Sequence, residues 1–429
     1  MSYKSSTRSL VIISILFFIW GILFCMNDIL VPHFKALFTL SYFEASMVQF
    51  TFFGAYLLIS IPAGKIITTY GYKKSIVFGL LVTATGCLLF YPAGSLKLYS
   101  MFLLALFFVS SGIAIMQVAA NPYVAILGKP EGAASRLNLA QAVSKSGYAI
   151  APYIGAFFIL SNIRPSQNTM ATFSPQQLEA YNASQASAVQ TPYLIIAGIL
   201  LLLVLFVHKS GLPNIKEETT TDESFLRSLK KARQYRRLVF GTLAIFMYVG
   251  AEVSTDAFFI SFLSNKHVAG LTETAAAAYL SHYWLCATIT GFIGFIVLKY
   301  VKPAKALTVC GVVTLLLFSV CLTSSGSIVP ILLVAIGGFI SIMFPTIFSL
   351  AIEGLGDFTS RASAILFTAV VGGALLPPIQ GLIADQAGIR ISYIIPCISY
   401  AYITWFGLFC TKNLFKKSNQ KLHYEQAIQ

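Results

Sequence analysis

Twelve long apolar runs are the feature that most restricts how this 429-residue chain can fold. Each is about 20 to 30 residues long, and crossing the ~30 Å hydrocarbon core of a bilayer takes about 20 residues of helix. Only helices and closed barrels satisfy their backbone hydrogen bonds in lipid, and barrel strands are only about ten residues long. The sequence therefore predicts an all-α membrane protein with twelve transmembrane helices. The predicted spans are residues 9–37, 43–70, 74–94, 98–127, 133–161, 190–208, 235–263, 272–300, 304–323, 327–354, 360–387 and 391–413.

Composition agrees with a membrane location and argues against an enzyme. Hydrophobic residues make up 57% of the chain and charged residues 10%, whereas ordinary soluble domains carry about 25% charged residues. The seven cysteines lie in or beside apolar runs, without a CxxC or Cys/His cluster. The sequence contains no nucleophile, metal or cofactor constellation. We therefore expect no catalytic site, no metal and no cofactor.

The basic residues predict the orientation in the membrane. With the N-terminus inside, 23 of the 29 Lys and Arg residues fall in cytoplasmic segments, five fall outside, and Lys145 lies within the membrane. Positive charge accumulates on the cytoplasmic side, so both termini and the central loop are predicted to be cytoplasmic. Topology thus explains the formal net charge of +14, and we expect no nucleic-acid partner.

The chain divides into two halves that echo each other. A long polar stretch separates the sixth apolar run from the seventh. We therefore predict a six-helix bundle in residues 1–208, a cytoplasmic linker in 209–234 and a second six-helix bundle in 235–429. GKIITTYGYKK from Gly64 has a counterpart in GFIVLKYVKPAK from Gly294, AANPYVAIL in MFPTIFSLA, and SRLNLAQ in SRASAIL. Two pseudo-symmetric bundles with a site near the midplane are typical of alternating-access transporters.

Four ionisable residues lie deep within the apolar runs: Asp28, Lys145, Glu252 and Asp256. Charge in a bilayer costs several kcal/mol unless it faces a cavity or a partner, so each is a candidate functional residue. Asp28 is the strongest candidate for proton coupling, because a change in its exposure changes its tendency to hold a proton. Two alternatives stay open: Lys145 as a structural counter-ion, and Asp256 as part of a solvated outer rim.

Amide side chains share helix faces with these charges. Gln117 and Asn121 are four residues apart in the fourth run, and Asn138, Gln141 and Lys145 fall on one face of the fifth. Polar stripes on several helices predict a wet cavity in which amides bind a substrate. The alternative is that Gln117 or Asn121 simply hydrogen-bonds a neighbouring helix, which is common in membranes.

Two aromatic side chains are candidates for stacking on a sugar ring. Trp284 lies within the eighth run, away from the predicted membrane interface, and Phe344 lies within the tenth. The alternative is ordinary core packing, which accounts for most of the 35 Phe, 21 Tyr and 3 Trp residues.

Seven segments occur in the order expected for one transporter family: FFIWGILFCMNDILVPHFKALFTLSYFEASMVQ, IPAGKIITTYGYKKSIVFGL, QVAANPYVAILG, SRLNLAQA, VQTPYLII, YVGAEVS and FPTIFSLAI. Together they resemble the fucose/galactose/glucose:proton symporter family of the major facilitator superfamily. The resemblance extends from the first to the eleventh run. It implies the major facilitator fold, a bacterial inner-membrane location, and import of a monosaccharide together with a proton.

The resemblance also implies roles for individual residues. Asp28 matches the aspartate of the first helix that is implicated in proton and sugar coupling in fucose permeases. Asn121 and Gln141 match polar cavity residues of the fourth and fifth helices. Phe344 and Thr346 match the motif of the tenth helix.

The chain departs from the family pattern at three places. Gln117 replaces the glutamate of fucose permeases, and together with Glu252 in YVGAEVS this is more similar to the glucose/galactose branch. Lys145 occupies a position that is expected to be small and uncharged. Thr290 and Gly291 stand where a Gly-Arg pair is expected.

These observations lead to the hypothesis of a proton-coupled monosaccharide symporter for L-fucose or for glucose and galactose. Asp28 and Glu252 are the predicted proton-coupling residues, and Lys145 and Asp256 the charge partners. The alternatives are an uncoupled sugar facilitator, a transporter of a charged sugar or another metabolite, and a non-transporting sugar sensor. We expect a monomer in the lipid bilayer with a monosaccharide as substrate. The predicted substrate-binding residues are Gln117, Asn121, Asn138, Gln141, Trp284, Phe344 and Thr346.

Overall fold

The structure of the chain is a computed structural model. It describes residues 3–38, 42–155, 174, 176, 177, 189–213, 215 and 232–428. Side chains are described for these residues except 3–7, 28, 29, 31–33, 35–37, 42–46, 152–155, 273, 274, 357 and 413–428. All regular secondary structure in the described ranges is helical, which confirms the predicted fold class.

Six helices form the first half of the described sequence, in good agreement with the predicted spans. They are α1 (Tyr3–Leu37), α2 (Tyr42–Tyr70), α3 (Tyr72–Leu96), α4 (Tyr99–Ile126), α5 (Ala133–Gly155) and α6 (Gln190–Lys209), with a 3₁₀ turn at Pro130–Gly132.

The second half begins with three unbroken helices and continues with three interrupted spans. The unbroken helices are α7 (Arg236–Ser264), α8 (Glu273–Tyr300) and α9 (Pro303–Thr323). The interrupted spans are α10 (Ile328–Ile340) with α11 (Met343–Ile352), α12 (Thr359–Thr368) with α13 (Gly372–Ala387), and α14 (Ile389–Ser392) with α15 (Ile394–Ile428).

Eleven spans within the described residues are long and apolar enough to cross a membrane. The predicted span that is missing from this set is the fifth, which corresponds to α5. Its described part is less apolar than the other five helices of the first half because it carries Asn138, Gln141 and Lys145 among other polar residues. The predicted end of this span, near residue 161, lies outside the described residues.

The chain forms two compact units. The first unit comprises Thr7–Tyr123 and Val143–Thr220, and the second comprises Met1–Ser6, Val124–Ala142 and Thr221–Gln429. Boundaries between the units therefore fall within α1, α4 and α5. The division into bundles at residues 208 and 235 stays a prediction.

The sequence echoes between the halves correspond to matching helix ends. α2 ends at Tyr70 and α8 ends at Tyr300, each six residues after the glycine that opens its motif. The turns that follow differ. Gly71, with φ of 84°, lets α3 start at once, whereas α9 starts with Pro303, whose fixed φ suits the first turn of a helix.

Arg136, near the start of α5, binds the end of α4. Its guanidinium donates hydrogen bonds to the carbonyl oxygens of Val124 at 3.1 Å, Ala125 at 2.6 Å and Lys129 at 3.0 Å. The last carbonyls of a helix have no partner within the helix, so these bonds cap α4. The turn between α4 and α5 is therefore fixed by a single side chain.

Glycines bring α1 and α5 together in the first unit. A β-carbon placed on Gly21 would overlap the carbonyl oxygen of Ser144, and one placed on Gly147 would overlap the carbonyl oxygen of Phe18. Small residues allow such close backbone approach, which is a common basis of helix association in membranes. This contact fixes the part of α5 that carries Lys145.

Candidate functional site

The predicted site residues are distributed over both units. Gln117 and Lys145 are half-buried and Asn121 is buried in the first unit. Asp28 belongs to α1, but its side chain lies outside the described residues. The remaining site residues belong to the second unit: Asn138, Gln141, Glu252, Asp256, Trp284, Phe344 and Thr346.

The amide pair of α4 makes a bond within its own helix. Asn121 is 1% exposed, and its Nδ2 donates to the backbone carbonyl oxygen of Gln117 at 3.0 Å. This bond occupies one of the two N–H donors of Asn121. The side chain of Gln117 is the more accessible of the two. Gln117 is therefore the better placed of this pair to meet a ligand.

α5 contacts α8 through two hydrogen bonds to backbone carbonyls. The amide of Asn138 donates to the carbonyl oxygen of Gly291, and the hydroxyl of Ser135 donates to that of Phe295 at 2.7 Å. A helix carbonyl has two lone pairs, so it can accept a side-chain donor in addition to its intrahelical bond. The two acceptors are one turn apart and face α5.

Small residues on α8 make this contact possible. A β-carbon on Gly294 would overlap Cγ2 of Ile342 and lie 2.7 Å from Nδ2 of Asn138. A β-carbon on Gly291 would lie 3.1 Å from Cβ of Ala142. Any larger side chain at either position would push α5 away from α8. Gly291, a departure from the family pattern, thus has a packing role.

A carboxylate on α7 is bound by a tyrosine of the same helix. The hydroxyl of Tyr248, which is 2% exposed, donates to Oε1 of Glu252 at 2.7 Å. Asp256 follows one turn later on α7. The hydroxyls of Tyr283 from α8 and Tyr400 from α15 lie near enough to both carboxylates to interact electrostatically with them. These residues form a cluster of half-buried carboxylates and buried tyrosines, here termed the carboxylate cluster.

The tyrosines of the carboxylate cluster were not among the predicted site residues. Tyr248 had a detectable signal, because it precedes Glu252 by four residues and therefore shares its helix face. Tyr283 and Tyr400 had none, because only the tertiary structure brings α8 and α15 to the carboxylates.

Both predicted stacking residues lie beside tyrosines of this cluster. The ring of Phe344 is 6.0 Å from that of Tyr248, and the ring of Trp284 meets that of Tyr283 edge-on at 5.4 Å. Phe344 and Trp284 are each half-buried, so part of each ring remains accessible. They combine an apolar face with nearby hydroxyls, which suits a sugar ring.

Two predicted substrate-binding residues are fully buried. Asn138 is 0% exposed and its amide is held by Gly291, as described above. Thr346 is also 0% exposed, and its hydroxyl has no hydrogen-bond partner among the described residues. Contact of either residue with a sugar would require a conformation in which α5 or α11 has moved. Their role as ligands stays a prediction.

The arrangement offers hydrogen bonding and proton binding. Amides and hydroxyls donate and accept hydrogen bonds, and the carboxylates can take up a proton. Within the described residues, no group of three or more His, Cys, Asp or Glu side chains converges as a metal site would require.

Comparison with known proteins identifies the family. Residues 9–371 match the Major Facilitator Superfamily. The chain belongs to this superfamily. The resemblance inferred from the motifs is thereby confirmed, and the fold is that of transporters rather than enzymes.

Two relatives and one solved structure are similar over nearly the whole chain. A glucose/galactose transporter of Brucella abortus is 45% identical over 96% of this chain and 96% of its own length. An L-fucose-proton symporter of Escherichia coli K12 is 35% identical over 92% of this chain and 91% of its own. The crystal structure of the superfamily transporter FucP in the outward conformation has a TM-score of 0.87 at 34% identity, covering 95% of this chain and 99% of that one.

Proposed function

We propose that this protein imports a monosaccharide, either glucose and galactose or L-fucose, together with a proton by alternating access. The observation that carries this proposal is the 45% identity to a glucose/galactose transporter over nearly the full length of both chains. Gln117 adds weight to the glucose/galactose branch, because an amide cannot titrate as the glutamate of fucose permeases does.

In this proposal the sugar is held by hydrogen bonds and by aromatic packing. Amides suit this role because each offers both donors and an acceptor to the alternating hydroxyls of a sugar. The rings of Trp284 and Phe344 cover an apolar face of the sugar. The hydrogen-bonding residues are Gln117, Asn121, Asn138, Gln141 and Thr346.

Asp28 and Glu252 bind the coupling proton. A neutral carboxyl costs far less to hold in apolar surroundings than an ionised one, so protonation lets the loaded carrier change conformation. Lys145 and Asp256 act as charge partners that adjust when the proton is bound. The proton is the only coupling ion in this scheme, and no cofactor takes part.

The driving force is sufficient for concentrative uptake. Moving one charge across 100 mV provides about 2.3 kcal/mol. At roughly 150 mV, one proton per sugar therefore supports an accumulation of a few hundred-fold, since about 1.4 kcal/mol corresponds to a factor of ten.

The protein works as a monomer in the bacterial inner membrane, with both termini in the cytoplasm and without a nucleic-acid partner. The positive-inside distribution of the Lys and Arg residues supports this orientation.

A second candidate function is import of a sugar acid. Lys145 motivates it, because a half-buried cation on α5 offers a counter-charge for an anionic group. Competition separates the two candidates: sugar acids should not inhibit uptake of labelled galactose if the substrate is neutral.

The decisive experiment measures uptake of labelled glucose, galactose and fucose into proteoliposomes with and without an inward proton gradient. We expect gradient-driven accumulation of at least one sugar by the wild type, and its loss in Asp28→Asn and Glu252→Gln. Asp385→Asn is the matched control, because Asp385 is an exposed carboxylate in α13. Equal, gradient-independent equilibration in all proteins would contradict coupling and indicate a facilitator. Binding of a sugar without any flux would indicate a sensor.

A further inference from the structure

The hydroxyl of Tyr248 lies between two acceptors. It is 2.7 Å from Oε1 of Glu252 and 3.4 Å from the backbone carbonyl oxygen of Ile340. A tyrosine hydroxyl has one hydrogen to donate and can also accept a hydrogen bond. It therefore cannot donate to both acceptors at full strength.

The second acceptor belongs to a break in the tenth span. Ile340 is the last residue of α10, and α11 begins at Met343. Pro345 has no N–H to offer Ser341, four residues earlier, so the helix ladder is weakened at this point. Carbonyls at the end of a helix lack an intrahelical partner, which makes the Ile340 carbonyl a ready acceptor for a side chain.

The residues of the break pack on α8 and α5. Oγ of Ser341 would lie 3.2 Å from a β-carbon on Gly291. Ile342 fills the space left by Gly294 and joins an apolar cluster with Ala134 from α5 and Leu298 from α8. The break therefore contacts the same two glycines that allow Asn138 to bind α8.

We propose that the Tyr248 hydroxyl relays proton binding at Glu252 to the α10–α11 break, and through the break to the contact between α5 and α8. This relay rests on the proposed proton coupling through Glu252 and names the positioning residue that couples it to movement. When Glu252 is ionised, Tyr248 donates to it and only weakly to Ile340. When Glu252 holds a proton, its carboxyl hydrogen donates to the Tyr248 oxygen. The tyrosine hydrogen then turns to the Ile340 carbonyl and tightens the break.

Other titratable groups around Glu252 affect the proton but do not reach the break in this way. They include Asp256 on the same helix, Tyr283 from α8 and Tyr400 from α15. Asp256 and Glu252 lie one turn apart, so a proton on either lowers the repulsion felt by the other. Among the hydroxyls of Tyr248, Tyr283 and Tyr400, the one with a described bond to a carbonyl of the broken span is that of Tyr248.

A double-mutant cycle tests the relay. The full-length protein is purified as wild type, Glu252→Gln, Tyr248→Phe and the double variant, and hydrogen–deuterium exchange is compared at one pH. The glutamine stands in for a protonated, neutral carboxyl. We expect Glu252→Gln alone to slow exchange of the segments 338–346 and 133–142 about threefold to tenfold, a factor typical of one added hydrogen bond. With phenylalanine in place of Tyr248, the same substitution should have no effect on these segments.

Two further variants keep the cycle interpretable. Tyr300→Phe is the matched control, because Tyr300 is 85% exposed at the end of α8, and the effect of Glu252→Gln should persist in it. Glu252→Ala leaves Tyr248 intact but removes its first acceptor, so it should also slow exchange at the break. Equal effects of Glu252→Gln in both Tyr248 backgrounds, or no slowing with Glu252→Ala, would overturn the relay.

Transport measured on the same variants separates the relay from the proposed function. If the wild type accumulates sugar but the substitutions at Glu252 and Tyr248 have additive effects on exchange, the proposed proton coupling is correct and Tyr248 does not transmit it. If the two substitutions have non-additive effects on exchange but the wild type transports none of the tested sugars, the relay exists and the proposed substrate is wrong.

Discussion

α4 and α7 carry the same polar pattern but use it differently. In each helix two polar side chains stand one turn apart on the same face. In α4, Asn121 turns back to the backbone of Gln117, so the bond stays within one helix. In α7, Tyr248 bonds the side chain of Glu252 and also reaches Ile340 in another helix. Identical spacing thus produces an amide bonded to the backbone of its own helix in one case, and a hydroxyl–carboxylate pair that also reaches a second helix in the other.

Removing the carboxylate of Glu252 in α7 should have the largest effect on transport. We expect Glu252→Ala to reduce the proton-driven sugar accumulation ratio about a hundredfold, to near equilibrium, since the energy of the gradient is no longer coupled. Gln117→Ala should keep the ratio and raise only KM, because it removes a sugar contact and no proton site. The measurement is steady-state accumulation at saturating and limiting sugar. A collapse of the ratio in Gln117→Ala would erase the distinction between the two helices.

Introducing a titratable side chain into α4 should have the next largest effect on transport. Gln117→Glu places a carboxyl at a half-buried position, where the ionised form is costly unless it finds a partner. Sugar exchange should become pH-dependent, falling about tenfold from the acid to the alkaline side of the carboxyl titration. Wild-type exchange measured over the same range is the reference. A flat profile for the variant would mean that this position is already well solvated.

Removing the amide of Asn121 should have a smaller effect on transport. Asn121→Ala is expected to raise KM about twofold to fivefold, since a single neutral hydrogen bond contributes about 0.5–1.5 kcal/mol and one donor of Asn121 already serves its own helix. The effect of Gln117→Ala on KM should be the larger of the two. The reverse order, measured by initial rates of exchange, would show that the buried amide is the principal sugar contact.

Replacing a third amide, that of Gln380, should have the smallest effect, and it concerns stability. Gln380 in α13 is 0% exposed, and neither atom of its amide has a partner among the described residues. An unsatisfied buried polar group is costly, so Gln380→Met should stabilise the protein by about 1 kcal/mol and raise Tm by about 2 °C. Thermal unfolding of the purified protein provides the measurement. Destabilisation would mean that Gln380 is satisfied by a group outside the described residues.

The helices of this protein could be predicted because apolar length alone specifies a membrane span. The interruptions in the last three spans could not. Pro62, Pro122 and Pro345 all lie within predicted spans, yet α2 and α4 continue through theirs, whereas the tenth span breaks just before Pro345. Neighbouring helices decide whether the freed carbonyls are satisfied, and a single sequence does not contain that information.

The candidate site was predictable to the extent that it lies on single helices. The pairing of Glu252 with Asp256 follows from helical spacing. The hydrogen bond from Asn138 to Gly291 was not predicted, because it depends on the position of α8. Tyr283 and Tyr400 approach Glu252 from helices that are distant in sequence, so no local pattern reveals them.

We assign Arg136 two roles, one in membrane insertion and one in the folded protein. In the proposed orientation, it is one of the positive charges that keep their segment on the cytoplasmic side during insertion. After folding, its planar guanidinium is directed at three carbonyls between Val124 and Lys129. Lysine would preserve the first role but lacks the forked geometry that the second requires. An Arg136→Lys protein should therefore insert correctly and yet leave the turn between α4 and α5 frayed, so correct topology and correct folding are separable at this position.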